Sequence, residues 1–204
     1  MNAVKKDNTE QKILDAAQNV FMKKGMDGSR MQEIADEAGI NKALLHYYFR
    51  TKQKLFEAIF KQLIKKAFPS IKELIFSTIP IEEKIGIFVD KYLNLLIKNP
   101  YLPMFILKEI NRDPQFLASV IKGQGANPDE VLKVFEKEME KGTIRRMDPR
   151  HLFINILGLS IFPVAARPLM TEIFFDGNKG DYKKFLRERK DTVKEFILNS
   201  IMIK

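Results

Sequence analysis

Cysteine is absent from the 204-residue chain. Its absence excludes disulfides, cysteine-ligated zinc and thiol catalysis, and it fits a reducing cytosol. Histidine is scarce. His46 and His151 are the only two, too far apart for a histidine-based metal site or triad. Long apolar runs are missing as well. The longest stretch without Asp, Glu, Lys or Arg is residues 151–166, interrupted by Asn155, Ser160 and Pro163. That is short of the ~20 apolar residues that span a bilayer. The N-terminus MNAVKKDNTEQK has no apolar core, so no signal peptide is expected. No strand-length run alternates with period two, and no repeat or low-complexity tract occurs. A glycine-rich phosphate loop, a metal-ligand cluster and a nucleophile motif are also missing. Asp148 and His151 form a close acid–histidine pair, but Asp148-Pro149 reads as a helix start. The expectation is a soluble, cytoplasmic protein that is not an enzyme and needs no cofactor or metal.

Apolar residues are plentiful at 45%, enough for a real core. Lys and Arg total 35 against 26 Asp and Glu, a net charge of +9 that points to an anionic partner. The excess is uneven. Between 41 and 66 stand Lys42, Arg50, Lys52, Lys54, Lys61, Lys65 and Lys66, opposed only by Glu57. A second basic stretch, 179–204, reads as a solvated helix face.

The periodicity is helical nearly throughout. Ile13, Ala16, Ala17, Val20 and Phe21 form one amphipathic stripe. Asp7 or Asn8 is its expected cap and Gly25 its end. Short helices follow at 31–38 and 41–48, then a longer one from Lys52 to Phe68 that ends or kinks at Pro69. Further helices are expected at 81–98, 101–111, 115–122, 129–141, 149–166 (reaching toward 174) and 181–203. Residues 123–128 read as a loop. The class is all-α.

Two short helices joined by Gly39-Ile40 have the form of a helix-turn-helix. Ala35 is small where the helices must approach, and Gly39 can take positive φ at the bend. Ile34, Ile40, Leu45 and Tyr48 would pack this unit onto the first helix. Lys42, Ala43, Leu44, His46 and Tyr47 are left on the outer face, where a helix can enter a major groove. The stretches KILDAAQNVFMKKGMDGSRMQEIADEAGI and NKALLHYYFRTKQKLF resemble the N-terminal domain of the TetR (tetracycline repressor) family of transcriptional regulators. The match covers about a quarter of the chain, from Lys12 to about Phe60.

The resemblance implies a DNA-binding domain over 1–52 and a helical effector-binding and dimerisation domain over 53–204. It implies that Lys42 makes a polar contact at the start of the recognition helix and that Gln32 reaches DNA. Tyr47 and Tyr48 match positions that touch phosphates or base edges, with Tyr48 equally suited to the core. Lys52 matches a phosphate-binding lysine at a helix N-terminus. Three positions depart from the pattern. Leu44 replaces a common Thr and could touch a thymine methyl, and His46 replaces a common Tyr. Arg30 replaces a Ser/Thr cap and could reach a phosphate, leaving Ser29 and Gln32 to cap. His46 has no second ligand for a metal. Lys54 reads as solvated.

In the larger part, residues 152–159 are apolar all round, so that helix is expected to be buried on both sides. One side would meet its own domain and the other a partner subunit, with Gly158 allowing close approach. The last helix carries Tyr182, Phe185, Leu186, Val193, Phe196, Ile197, Ser200 and Ile201 on one stripe. As the family implies, helices near 149–166 and 181–203 would form a homodimer. An effector pocket is implied too, with Phe88, Tyr92, Met104, Phe105, Phe135, Asn155, Phe162 and Arg167 as candidate lining for a small hydrophobic or amphipathic molecule. The expected function is a ligand-responsive regulator, a repressor, on a palindromic operator of double-stranded DNA. The competing reading is a non-specific nucleic-acid-binding protein without an effector, for which the large apolar domain has no use.

Overall fold

A computed structural model describes residues 2–123 and 128–203. Among them are eleven helices: α1 (Asn2–Gly28), α2 (Met31–Glu37), α3 (Lys42–Tyr48), α4 (Lys52–Phe76), α5 (Ile81–Lys98), α6 (Leu102–Arg112), α7 (Pro114–Lys122), α8 (Pro128–Glu140), α9 (Pro149–Ala165), α10 (Arg167–Phe175) and α11 (Lys179–Ile201). The fold is all-α, with one isolated antiparallel bridge between Ile144 and Met202 among the described residues. Among the described residues no single helix is long and apolar enough to cross a membrane.

Most boundaries fall where caps and breakers put them. Three differ. The first helix runs back to Asn2, past the caps expected at Asp7 or Asn8. Its expected end survives as a kink, with Gly25 at φ 70 inside it. Helix α4 continues through Pro69 to Phe76. Pro69 and Lys65 are exposed, so water can serve the carbonyl that the proline leaves without an amide. The turn expected over 123–128 falls mainly on 124–127, outside the described residues.

The chain forms two compact units. The first is Met1–Ala67 with Phe105–Val120. Its core joins Ile13, Ala17 and Phe21 to Ile34, Ala35 and Leu45, then to Leu55, Phe56, Ile59 and Phe60. Phe105 stacks on Phe56 at a centroid distance of 3.8 Å. Phe60 packs against both Phe105 and Phe116.

The second unit is Phe68–Met104 with Ile121–Lys204. Ile81, Ile85, Val89 and Leu93 of α5 meet Leu152 and Ile156 of α9, Val193, Ile197 and Ile201 of α11, and Phe135 and Met139 of α8. Helix α9 buries one side in its own unit and leaves open the other, the side expected to meet a partner subunit. Ile154 and Phe162 lie 62% and 60% exposed. The α11 stripe divides likewise, with Tyr182, Leu186, Val193, Ile197 and Ile201 inward and Phe196 outward. Helix α9 runs through Pro163 and breaks at Ala166, where α10 departs at 73°. Pro168 prevents continuation, because its ring excludes a straight turn over Val164.

Candidate nucleic-acid interface

The geometry of α2 and α3 follows from their ends. Helix α2 closes in a Schellman motif: the Ile40 amide donates to the Ala35 carbonyl at 3.0 Å and the Gly39 amide to Asp36 at 3.1 Å. Gly39 stands at φ 65, a conformation that costs any residue with a Cβ. Asn41 then caps α3, its Oδ1 accepting from the Leu44 amide at 2.8 Å. At the start of α2 the expected Ser29/Gln32 cap does not form. Ser29 donates to the Met26 carbonyl and Gln32 to Asp36. Glu33 takes the role instead, accepting from the Arg30 amide at 3.0 Å and from Lys24 at 2.7 Å. Those two donors hold the Glu33 carboxyl below its ordinary range, Lys24 foremost.

Leu45 is fully buried and anchors α3. Lys42, Ala43, Leu44 and Tyr47 project outward, Tyr47 with 72% of its surface open. Arg30 and Gln32 are exposed at the start of α2. Tyr48 is half-buried, with its ring edge-on to Tyr47 at 5.5 Å. His46 is half-buried too, its Nδ1 3.1 Å from the Arg50 carbonyl. Lys52 turns inward: its ammonium donates to the Ser29 carbonyl at 2.9 Å and the Asp27 carbonyl at 3.3 Å. In this arrangement Lys52 caps the end of α1.

Beside α3 runs a groove of about 440 Å³, lined by Tyr47, Tyr48, Phe49, Arg50, Lys54, Glu57, Ala58 and Lys61. Its lining combines three aromatic side chains with the cations Arg50, Lys54 and Lys61. Lys54 pairs with Glu57 at 2.8 Å, and the Lys61 ammonium lies 5.5 Å over the Phe116 ring. Glu57 is buried, and so is Glu109. Arg112 joins them, with Nε donating to both Glu109 oxygens at 2.9 and 3.1 Å and a terminal nitrogen 3.4 Å from Glu57. Arg112 holds the Glu109 carboxyl below its ordinary range. Sequence reasoning does not single out Arg50, Lys61, Glu109 or Arg112 as site residues. One signal is visible there: Glu57, the sole acid of the basic stretch, sits on the apolar stripe of α4.

These features are those of a DNA-reading unit, and residues 13–59 match the family of bacterial regulatory proteins, tetR family. The N-terminal part of the chain is thus similar to the DNA-binding part of the TetR family. It is 23% identical over 190 residues to the HTH-type transcriptional regulator RutR of Escherichia coli, covering 86% of this chain and 87% of that protein. Its fold resembles a TetR regulator from Haloarcula marismortui at TM-score 0.70 and 20% identity, over 96% of this chain and all of that one. It also resembles the regulator FadR from Bacillus subtilis in complex with stearoyl-CoA, at TM-score 0.65 and 20% identity, over 90% and 96% of the two chains. Its relatives are transcriptional regulators rather than enzymes.

The residues expected around an effector are dispersed. Phe105 is core of the first unit. Phe135 is core of the second, where Phe88 and Tyr92 stack at 5.8 Å. Desolvation pushes the Tyr92 phenol up to about 12. Met104, Asn155, Phe162 and Arg167 are exposed. Asn155 and Arg167 therefore lack the apolar surroundings expected for them, because that side of α9 and the start of α10 are open.

Proposed function

We propose that this chain is a homodimeric repressor of the TetR family that binds a palindromic operator and leaves it when a hydrophobic or amphipathic effector binds. The observation that carries the DNA half is the open face of α3, where Lys42, Leu44 and Tyr47 project beside Arg30 and Gln32. Lys42 and Gln32 are the base-reading polar groups, and Leu44 meets a thymine methyl. Arg30, His46, Tyr47, Tyr48 and Lys52 act at the backbone or hold the reading helix. On this reading 1–52 serves DNA and 53–204 serves effector and dimer, in the cytoplasm and without cofactor.

The open side of α9 and the exposed Phe196 of α11 support a dimer through these helices. Two-fold symmetry then sets half-sites about one helical turn, ~34 Å, apart. FadR's stearoyl-CoA supports an acyl-type effector for this chain. The stacked Phe88 and Tyr92 are its first candidate contacts, with Tyr92 kept protonated as a donor. An effector acts only through unequal affinity for the two states, and a shift from 1:99 to 99:1 takes about 5.5 kcal/mol.

The test is a salt titration of binding to operator-containing and random duplexes. Log affinity should fall steeply with log salt, and the operator should bind more tightly. Lys42→Ala should weaken binding and change base preference, whereas Lys52→Ala should weaken all sequences alike. Equal affinity for both duplexes would overturn the reading in favour of non-specific binding.

A further inference from the structure

The Lys52 ammonium is already engaged, by the Ser29 carbonyl at 2.9 Å and the Asp27 carbonyl at 3.3 Å. Two neighbouring cations of the groove beside α3 are not. Arg50 and Lys61 are exposed, and among the described residues neither forms an ion pair. Both are held in place. The Arg50 carbonyl lies 3.1 Å from His46 Nδ1, and Thr51 Oγ1 accepts from the Lys54 amide at 3.1 Å, so the link between α3 and α4 is tied at both ends. Lys61 rests 5.5 Å over the Phe116 ring, a contact that places its ammonium without neutralising it.

The groove also contains Glu57, whose charge alone would repel an anion. Lys54 at 2.8 Å and Arg112 at 3.4 Å answer that charge. What the groove presents outward is therefore the positive charge of Arg50 and Lys61.

We infer that this groove seats the sugar–phosphate backbone of the DNA duplex, with Arg50 and Lys61 in the phosphate-binding role expected of Lys52. The inference rests on the DNA reading above. The groove is continuous with the reading face, because Tyr47 belongs to both: it projects from the open side of α3 and lines the groove. A phosphate backbone borders each side of a major groove about 12 Å wide, so a strand passing the end of α3 meets this surface next. The cations are also spaced for a chain of phosphates rather than for one small anion. Lys54, Lys61 and Lys65 are exposed at intervals of seven and four residues, a single face of α4 about 16 Å long. The rings and hydroxyls of Tyr47 and Tyr48 suit the sugars and phosphate oxygens of the same strand.

The test measures binding to a 30-base-pair random duplex and to an operator-containing duplex over a salt series, with circular dichroism to confirm folding. Arg50→Gln and Lys61→Gln should each flatten the slope of log affinity against log salt by about one, and the double variant by about two. The ratio of operator to random affinity should stay as in the wild type, because phosphates carry no sequence. Arg50→Lys keeps the charge and should restore the slope, which a purely structural role for Arg50 would not require. Lys133→Gln, an exposed lysine of α8, controls for the loss of net charge and should leave the slope unchanged. Wild-type slopes in both glutamine variants would overturn the inference and leave the DNA reading standing. Wild-type slopes together with lost binding of polyglutamate would overturn it in favour of an acidic protein chain as occupant. A wild type that binds neither duplex overturns the DNA reading and the inference together.

Discussion

Arg112 answers two buried carboxylates with one guanidinium, and its own side chain remains 44% exposed. The arrangement makes the first unit sensitive to acid. Glu109 has its pKa depressed in the folded state, first by its hydrogen bonds from Arg112. Its contribution is therefore complete above the unfolded carboxylate value of about 4.3 and is lost as pH falls toward the lower folded value. Urea midpoints of the wild type should drop between pH 5 and pH 3. In Arg112→Met the buried Glu109 carboxylate loses its counter-ion and its pKa rises. That variant should be less stable at pH 7, and its midpoint should hold or increase over the same acid range. A parallel fall in both proteins would remove Arg112 from this role. Glu57 is visible in the sequence as the one acid in a basic stretch. Its local partner Lys54 is visible there too, but its distant one is not, because Arg112 lies 55 residues further along and no local spacing connects them.

At the level of elements, stops and caps carry most of the information. Pro80 and Asn99-Pro100 bracket α5, and Asp148 caps α9 by accepting from the Arg150 amide at 2.9 Å. Hydrogen bonds from Arg150 pull the Asp148 carboxyl down to about 2, so this cap stays ionised through mild acid. The turn between α2 and α3 sets the geometry of the proposed reading unit. Gly39→Ala would force a Cβ into the left-handed region and cost about 1 kcal/mol. It should lower the melting temperature and loosen DNA binding, while Gly158→Ala, at an unobstructed position inside α9, should raise the melting temperature of the folded chain slightly. The pattern does not reveal which side of an all-apolar helix is covered. Periodicity cannot separate the two faces of α9 when both are apolar, and the exposure of Ile154 and Phe162 follows from packing alone.

For the molecule as a whole, the prediction concerns assembly. A Cβ added at Gly158, on the exposed side of α9, meets nothing within 4 Å in its own chain. Gly158→Arg should therefore yield a folded monomer whose helicity matches the wild type and whose operator affinity collapses, as light scattering and DNA binding would record. A dimer of unchanged affinity would place the interface elsewhere. The all-α class and the helix-turn-helix are legible in the sequence because their signals are local. Membership of α6 and α7 in the first unit is not. Phe105 and Phe116 announce an apolar face, but only the folded chain shows that Phe56 and Phe60 receive it.

That membership has a consequence for synthesis. The reading helix is translated by residue 48, yet the aromatic and ionic partners that close its supporting helix arrive only with residues 105–120. A ribosome must add some seventy further residues before the first unit has its full complement. The nascent chain thus passes through a stage in which the recognition sequence exists without the scaffold that steadies it.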